Sequence, residues 1–237
     1  MSAMDALFTV QDEDTIVRQL NHRHANLPER MALAEAEQAS ATTATQIEEH
    51  KVEHLDLFRR QRRYEGEVAA VEDRLTELDT LLYGGSITSP KEAVAIQTEI
   101  GHLRQRLDSL EGTVLEVMEE LEPVERLVSE LDARRVAEAT VVEERRQELL
   151  AAESVVDAEV DEARERRRSA ANEVSEDVLA RYDRIAGGLG ASTVVHFVGS
   201  DCTGCPYSMP AVEADRVRAL PEGTLAECSE CGRLVAR

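Results

Sequence analysis

Tryptophan is absent from this 237-residue chain, and all aromatic residues together reach only 3%. So few large rings argue against one broad globular core. Cysteine is scarce as well: there are four, all in the last third. Thiolates committed to a metal there would fit a reducing compartment. Positive charge is in short supply, with 27 Lys and Arg against 48 Asp and Glu, for a formal net charge of −21. This balance disfavours wholesale attraction to nucleic acid or to an anionic membrane. No apolar run approaches the roughly 20 residues of a membrane span. The start, Met1-Ser2-Ala3-Met4-Asp5-Ala6-Leu7-Phe8, has neither a basic nor an apolar leader region. A cytoplasmic protein with no membrane segment is the expectation.

What is abundant is charge, at 32% of residues, interleaved with aliphatic side chains. That composition suits a coiled coil. Residues 190–237 hold six acids and four arginines, net −2, which leaves −19 on residues 1–189.

The pattern predicts a mainly α protein: a long antiparallel coiled-coil hairpin over 1–173, a short helix and Gly-rich linker over 174–190, and a small module over 191–237. Residues 5–82 read as one helix interrupted near 25–28. There Pro28 lacks an amide donor, and Asn26 with Glu29 could restart the helix as a capping box. Val10, Val17, Leu20, Leu27 and Met31 begin an apolar stripe, which thins to small residues over 39–45. Leu57, Gln61, Tyr64, Val68, Val71, Leu75, Leu78 and Leu82 then alternate steps of four and three, a heptad seam. A tip over 83–89 follows: Gly84-Gly85 ends one helix, and Ser89-Pro90-Lys91-Glu92 starts the next. From Ile96 to Leu131 the second arm keeps the same spacing without a miss, and Pro123 lies off the stripe. Ser175 caps a helix over 176–185, and Gly187-Gly188-Leu189-Gly190 reads as the linker. Thr193–Val198, Thr224–Glu227 and Arg233–Val235 read as short strands.

The cysteines form two CxxC pairs, Cys202-Thr-Gly-Cys205 and Cys228-Ser-Glu-Cys231, separated by 22 residues. Two such turns bring four thiolates to one point, which suits a tetrahedral metal. Cys202, Cys205, Cys228 and Cys231 are therefore predicted to hold one structural Zn²⁺ in a zinc ribbon, with iron left open. Four protein ligands leave no open position for catalysis.

Three stretches resemble one family. They are Leu7…Val10-Gln11…Asp14…Val17…Leu20, the tip Leu82-Tyr83-Gly84-Gly85…Ser89-Pro90-Lys91-Glu92, and Val178-Leu-Ala-Arg-Tyr182 followed by the two CxxC pairs and Gly232-Arg233. Together they are similar to the bacterial C4-type zinc-ribbon family of unknown function, which carries a long N-terminal coiled-coil hairpin. The resemblance implies a hairpin plus ribbon, zinc on the four cysteines, and a non-enzymatic role as a nucleic-acid binder or protein adaptor. Pro206 and Ala236 depart from that pattern, where a basic residue and an aromatic are expected.

Other candidates have plainer readings. His50-Lys-Val-Glu53-His54 matches an inverted zincin motif, but a slender hairpin offers neither cleft nor third ligand, so it reads as a solvated helix face. Arg59–Arg63 and Arg164–Arg168 read as ion-pairing flanks opposite acids such as Asp108 and Glu111. His196 reads as an ordinary strand residue. Tyr83, Ile87 and Lys91 at the tip are candidate partner contacts. Arg216, Arg218, Arg233 and Arg237 are candidate phosphate contacts. The reading is a non-enzymatic scaffold or adaptor for protein partners. The alternative is an RNA- or DNA-binding regulator using the ribbon, and a homodimer through the same seam is a further assembly to test.

Overall fold

The computed structural model describes residues 2–85, 87–189 and 192–237. The fold is mainly α: a long helical hairpin followed by a small C-terminal region of strands that carries the four cysteines. In order, the elements are α1 (Ala3–Ala25), α2 (Pro28–Tyr83), α3 (Pro90–Ala171), α4 (Glu176–Leu189), β1 (Val194–Val198), β2 (Asp201–Cys202), α5 (Ala211–Arg218), β3 (Leu225–Glu227) and β4 (Leu234–Ala236). The chain divides into two compact units, Leu33–Arg145 and the remainder. No helix among the described residues is long and apolar enough to cross a membrane.

Within Leu33–Arg145, α2 and α3 lie antiparallel. Leu78 meets Ile96 and Ile100, and Leu57 meets Leu121 and Val124. Each of these side chains is under a tenth exposed. Arg74 bonds Glu99 at 3.0 Å, and Arg60 bonds Glu120 at 3.1 Å, across one flank of the seam. Exposed pairs of this kind contribute little stability, so the aliphatic layers hold the arms together. Pro123 sits on the solvent side and α3 continues through it. The small-residue stretch of α2 stays helical, with Thr43 and Ile47 both buried.

The tip follows its turn chemistry. Gly84 N–H donates to Thr80 O at 2.9 Å, and a Cβ at Gly84 would lie 2.6 Å from that oxygen. Gly85 takes the left-handed conformation, φ +79°. Ser89 O accepts the Ala93 amide and opens α3. Ser86, part of the expected turn, lies outside the described residues.

In the other unit, Ser2 and Asp5 form the capping box that starts α1, each accepting the other's backbone N–H. The expected break at 25–28 is present, but its chemistry differs. Asn26 closes α1, its side chain donating to His22 O at 2.7 Å, instead of capping α2 with Glu29. Met31 is 69% exposed and so is not part of the buried stripe. Leu27 packs on Val156 and Val160 of α3, flanked by Arg23–Glu159 and Arg30–Glu153 ion pairs. α4 runs four residues past its expected end, through Gly187 and Gly188 to Leu189. Gly190, the last linker residue, lies outside the described residues.

The strands form one sheet in the order β2-β1-β4-β3. β1 pairs parallel with β4, Val194 opposite Leu234, while β2 and β3 pair antiparallel on the two outer sides. Two elements were not legible beforehand: the two-residue β2 and the helix α5, which fills the spacer between the CxxC pairs. The three expected strands formed within one residue of their places.

Candidate metal centre

Both CxxC pairs sit on tight turns at the ends of strands. Cys202 ends β2, and Cys205 N–H donates to Cys202 O at 3.1 Å. Cys228 follows β3, its amide bonded to Arg233 O at 2.9 Å, while Gly232 N–H returns to Cys228 O at 2.8 Å. Gly232 has φ +71°, which a residue with a side chain rarely adopts. At Gly204 a Cβ would lie 2.4 Å from Arg233 Cδ and 3.0 Å from Val195 Cγ1. A side chain there would displace the Arg233 stem, which packs across the first turn.

The four sulfurs lie within 4.8 Å of one another. Cys202 and Cys231 are 3.8 Å apart, and Cys205 and Cys228 are 3.6 Å apart. A disulfide needs about 2.05 Å. Sulfurs about 2.3 Å from a tetrahedral metal are separated by about 3.8 Å. The four thiols therefore fit one tetrahedral metal ion. Behind them lies a small apolar core of Val195, Met209, Ala214, Val217, Ala226 and Val235.

Electrostatics agree with the geometry. Burial pushes the Cys202 and Cys205 thiols above their ordinary range, and neighbouring thiols push them further. Cys231 goes the other way. Burial opposes its ionisation, but the Arg233 amide and the surrounding sulfhydryls bring it down to about 7. One thiolate forms readily and discourages the rest; a bound cation would release the remaining protons.

The candidate phosphate contacts are engaged within the module. Arg216 lies 3.8 Å from Glu213, and Arg218 is 2.5 Å from Asp215 and 2.7 Å from Ser200 Oγ. Arg233 Nε donates to Ser192 O at 2.8 Å, and Arg237 Nε to Arg218 O at 3.2 Å. Glu213 ties α5 to the second cysteine turn by accepting from Ser229 O–H and N–H. Those bonds, with Arg216 nearby, hold its carboxyl below the usual range.

The tip candidates separate. Tyr83 is 80% exposed and Lys91 is also exposed. Ile87 instead folds back on the layer of Leu78, Ile96 and Ile100 and serves the turn. His50 bonds Glu53 and His54 bonds Glu125. Among the described residues, the four cysteines are the only cluster able to hold a metal. The arginine runs do pair with acids, but not with Asp108 or Glu111: Arg60 pairs with Glu120, Arg166 with Glu13, and Arg167 with Asp14.

One set of contacts was missed. The cysteine sheet is clamped to α1, α3 and α4. Gln11, buried, donates to Val194 O at 3.0 Å and accepts from Val194 N–H at 2.6 Å. Tyr182 donates to Asp14 at 2.9 Å, and Arg167 bridges Asp14 and Asp183 at 2.7 and 2.9 Å. Phe8 stacks on His196, with centroids 4.2 Å apart. Leu7, Val10, Val174, Val194 and Leu234 fill the space between. The available signal was polar Gln11 and Asp14 beside the apolar stripe of α1.

Burial, then the Asp14 carboxylate, pushes the Tyr182 phenol far above its ordinary value. The folded chain therefore keeps Tyr182 neutral to higher pH than the unfolded chain does. Its contribution to stability is whole below about pH 10 and declines as pH rises beyond that. An ultraviolet titration of wild type minus Tyr182→Phe should show this phenol ionising only as the fold opens. Ionisation near pH 10 with the fold intact would refute the clamp.

Comparison with known proteins decides the family. The CT398-like coiled coil hairpin domain matches residues 10–190. The chain belongs to that family. Uncharacterized proteins from two strains of Mycobacterium tuberculosis are 28% identical over 233 residues, covering 94% of this chain and 91% of theirs. A solved structure from Mycobacterium smegmatis covers 99% of this chain and 97% of its own, at 25% identity and TM-score 0.85. CT398 from Chlamydia trachomatis, at 16% identity and TM-score 0.72 over 99% of this chain and 97% of its own, shares the fold. The family thus shares the hairpin on which the tip stands.

Proposed function

We propose that this protein is a non-enzymatic cytoplasmic adaptor. One Zn²⁺ on Cys202, Cys205, Cys228 and Cys231 closes the C-terminal sheet into a structural zinc ribbon, and the hairpin presents its surface to a protein partner. Free thiols gathered for a metal suit a reducing compartment. The observation that carries this reading is Tyr83. It is 80% exposed at a helix–helix turn whose geometry is satisfied by Gly84 and Gly85 without it. An exposed aromatic at the helix end that borders a turn is a candidate anchor for protein recognition.

Nucleic-acid binding through the ribbon is less well supported. Arg216 and Arg218 already face acids of their own helix, and Arg233 faces a backbone carbonyl. Phosphate would have to displace those partners, against a net charge of −21.

The test is affinity capture with zinc-loaded full-length protein and its Tyr83→Ala variant, alongside anisotropy with single-stranded RNA and duplex DNA at two salt concentrations. Tyr83→Ala should change stability by less than about 0.5 kcal/mol and lose a partner that wild type retains. Unchanged capture by Tyr83→Ala overturns the tip. Tight, salt-sensitive RNA or DNA binding lost in Cys228→Ser would favour the nucleic-acid reading.

A further inference from the structure

Residues 108–125 of α3 contain seven acids and no lysine or arginine. They border an apolar groove along one flank of the hairpin. One stretch of it is lined by Val68 and Ala69 of α2 with Val114 and Leu115 of α3, and an adjoining stretch by Leu115, Met118 and Leu121. Leu115 lines both, so the two stretches adjoin there. Leu115 is 61% exposed and Met118 46%, although both lie on the most regular part of the seam helix. The rim carries Glu65, Glu72, Glu111, Glu119, Glu122 and Glu125, and no cation lines either stretch. Glu65, Glu122 and Glu125 have partners in Arg62, Arg126 and His54. Glu72, Glu111 and Glu119 have no cation within ion-pair reach among the described residues.

We infer that this groove docks a basic amphipathic helix of a partner protein, with apolar side chains on Leu115 and Met118 and lysines or arginines against the glutamate rim. This rests on the adaptor reading and names a surface and partner chemistry for it. Charge selects the occupant. Residues 33–145 hold 26 acids and 13 Lys and Arg, net −13, so a second copy would bring like charge to the rim. Nucleic acid is repelled for the same reason. From Glu111 to Glu125 the groove extends about 21 Å, roughly four helical turns. That is the scale of helix-in-groove recognition, with anchors at i, i+3 or i+4, and i+7.

The test titrates zinc-loaded full-length protein into a labelled synthetic helix of about 18 residues, leucine on one face and lysine elsewhere, with a control bearing glutamate in place of lysine. The basic helix should bind with a dissociation constant below about 100 µM and weaken with salt, while the acidic control should not bind. Glu111→Lys with Glu119→Lys should weaken binding by about ten-fold or more. Glu35→Lys with Glu49→Lys, the same charge change elsewhere on the hairpin, should stay within about two-fold. Met118→Asp separates docking from simple charge attraction: it adds negative charge yet should weaken binding. Equal effects of the two double variants, tighter binding by Met118→Asp, or no binding of the basic helix would overturn the groove. So would a dimer in sedimentation that Met118→Asp dissociates. Tyr83→Ala should leave peptide affinity unchanged, so loss of the groove alone leaves tip-dependent capture to judge the adaptor reading.

Discussion

Cys228→Ser should abolish the proposed metal binding and unfold the C-terminal sheet while most of the helical signal remains. The sheet has few residues and a small apolar core, too little burial to offset the entropy of ordering its loops. Binding of structural zinc by such thiolate sets is worth about 10–16 kcal/mol in apparent free energy at neutral pH, and that energy is folding energy. Removing one ligand leaves three thiols, of which Cys202 and Cys205 are already hard to ionise. Metal content should fall from one equivalent to near none. Amide protection should collapse across 192–237, and a strong chelator should do the same to wild type. Loss should extend to the contacts of Leu7 and Val10, because these pack on Val194 and Leu234. A metal-free variant with an intact, protected sheet would show that the cysteines contribute no folding energy.

Gln11→Leu should destabilise the docking of that sheet by about 2–6 kcal/mol, since it strands two buried backbone groups at about 1–3 kcal/mol each. The Gln11 amide fits Val194 as a neighbouring strand would, one donor and one acceptor. Leucine fills a similar volume, so the loss measures the hydrogen bonds more than a cavity. The metal should stay bound, because no cysteine touches this contact, and that separates it from the first prediction. Thermal unfolding of the zinc-loaded variant, with exchange at the Val194 amide, checks it. A change under about 0.5 kcal/mol would mean that apolar packing alone holds the sheet.

Helices, tip and the convergence of the four thiols were legible because each rests on local chemistry. Pro90 can only open a helix cheaply, Gly84 and Gly85 can end one, and the four-and-three spacing from Ile96 to Leu131 admits one buried stripe. The misses have a common cause. Asn26 was expected to look forward to Glu29 but bonds back to His22, because two local hydrogen-bond options compete and packing chooses. Gly187 and Gly188 suit a linker by propensity, yet the face of α4 that buries Tyr182 keeps them helical. Short α5 gave no periodicity long enough to detect; Glu213 and Val217 define it only once the second cysteine turn and the sheet core are beside it.

By itself the sequence determined the hairpin, its turn and the four thiols that converge, since heptad spacing, glycine and proline, and CxxC turns act over a few residues. Only the tertiary structure decided that the cysteine sheet is clamped to α1, α3 and α4, that its arginines are engaged by acids and carbonyls of the same module, and that Leu115 and Met118 stay exposed. Gln11 and Val194 are 183 positions apart. No local preference of either residue encodes the other; their pairing exists only where folding places a buried amide beside the open edge of β1 at Val194.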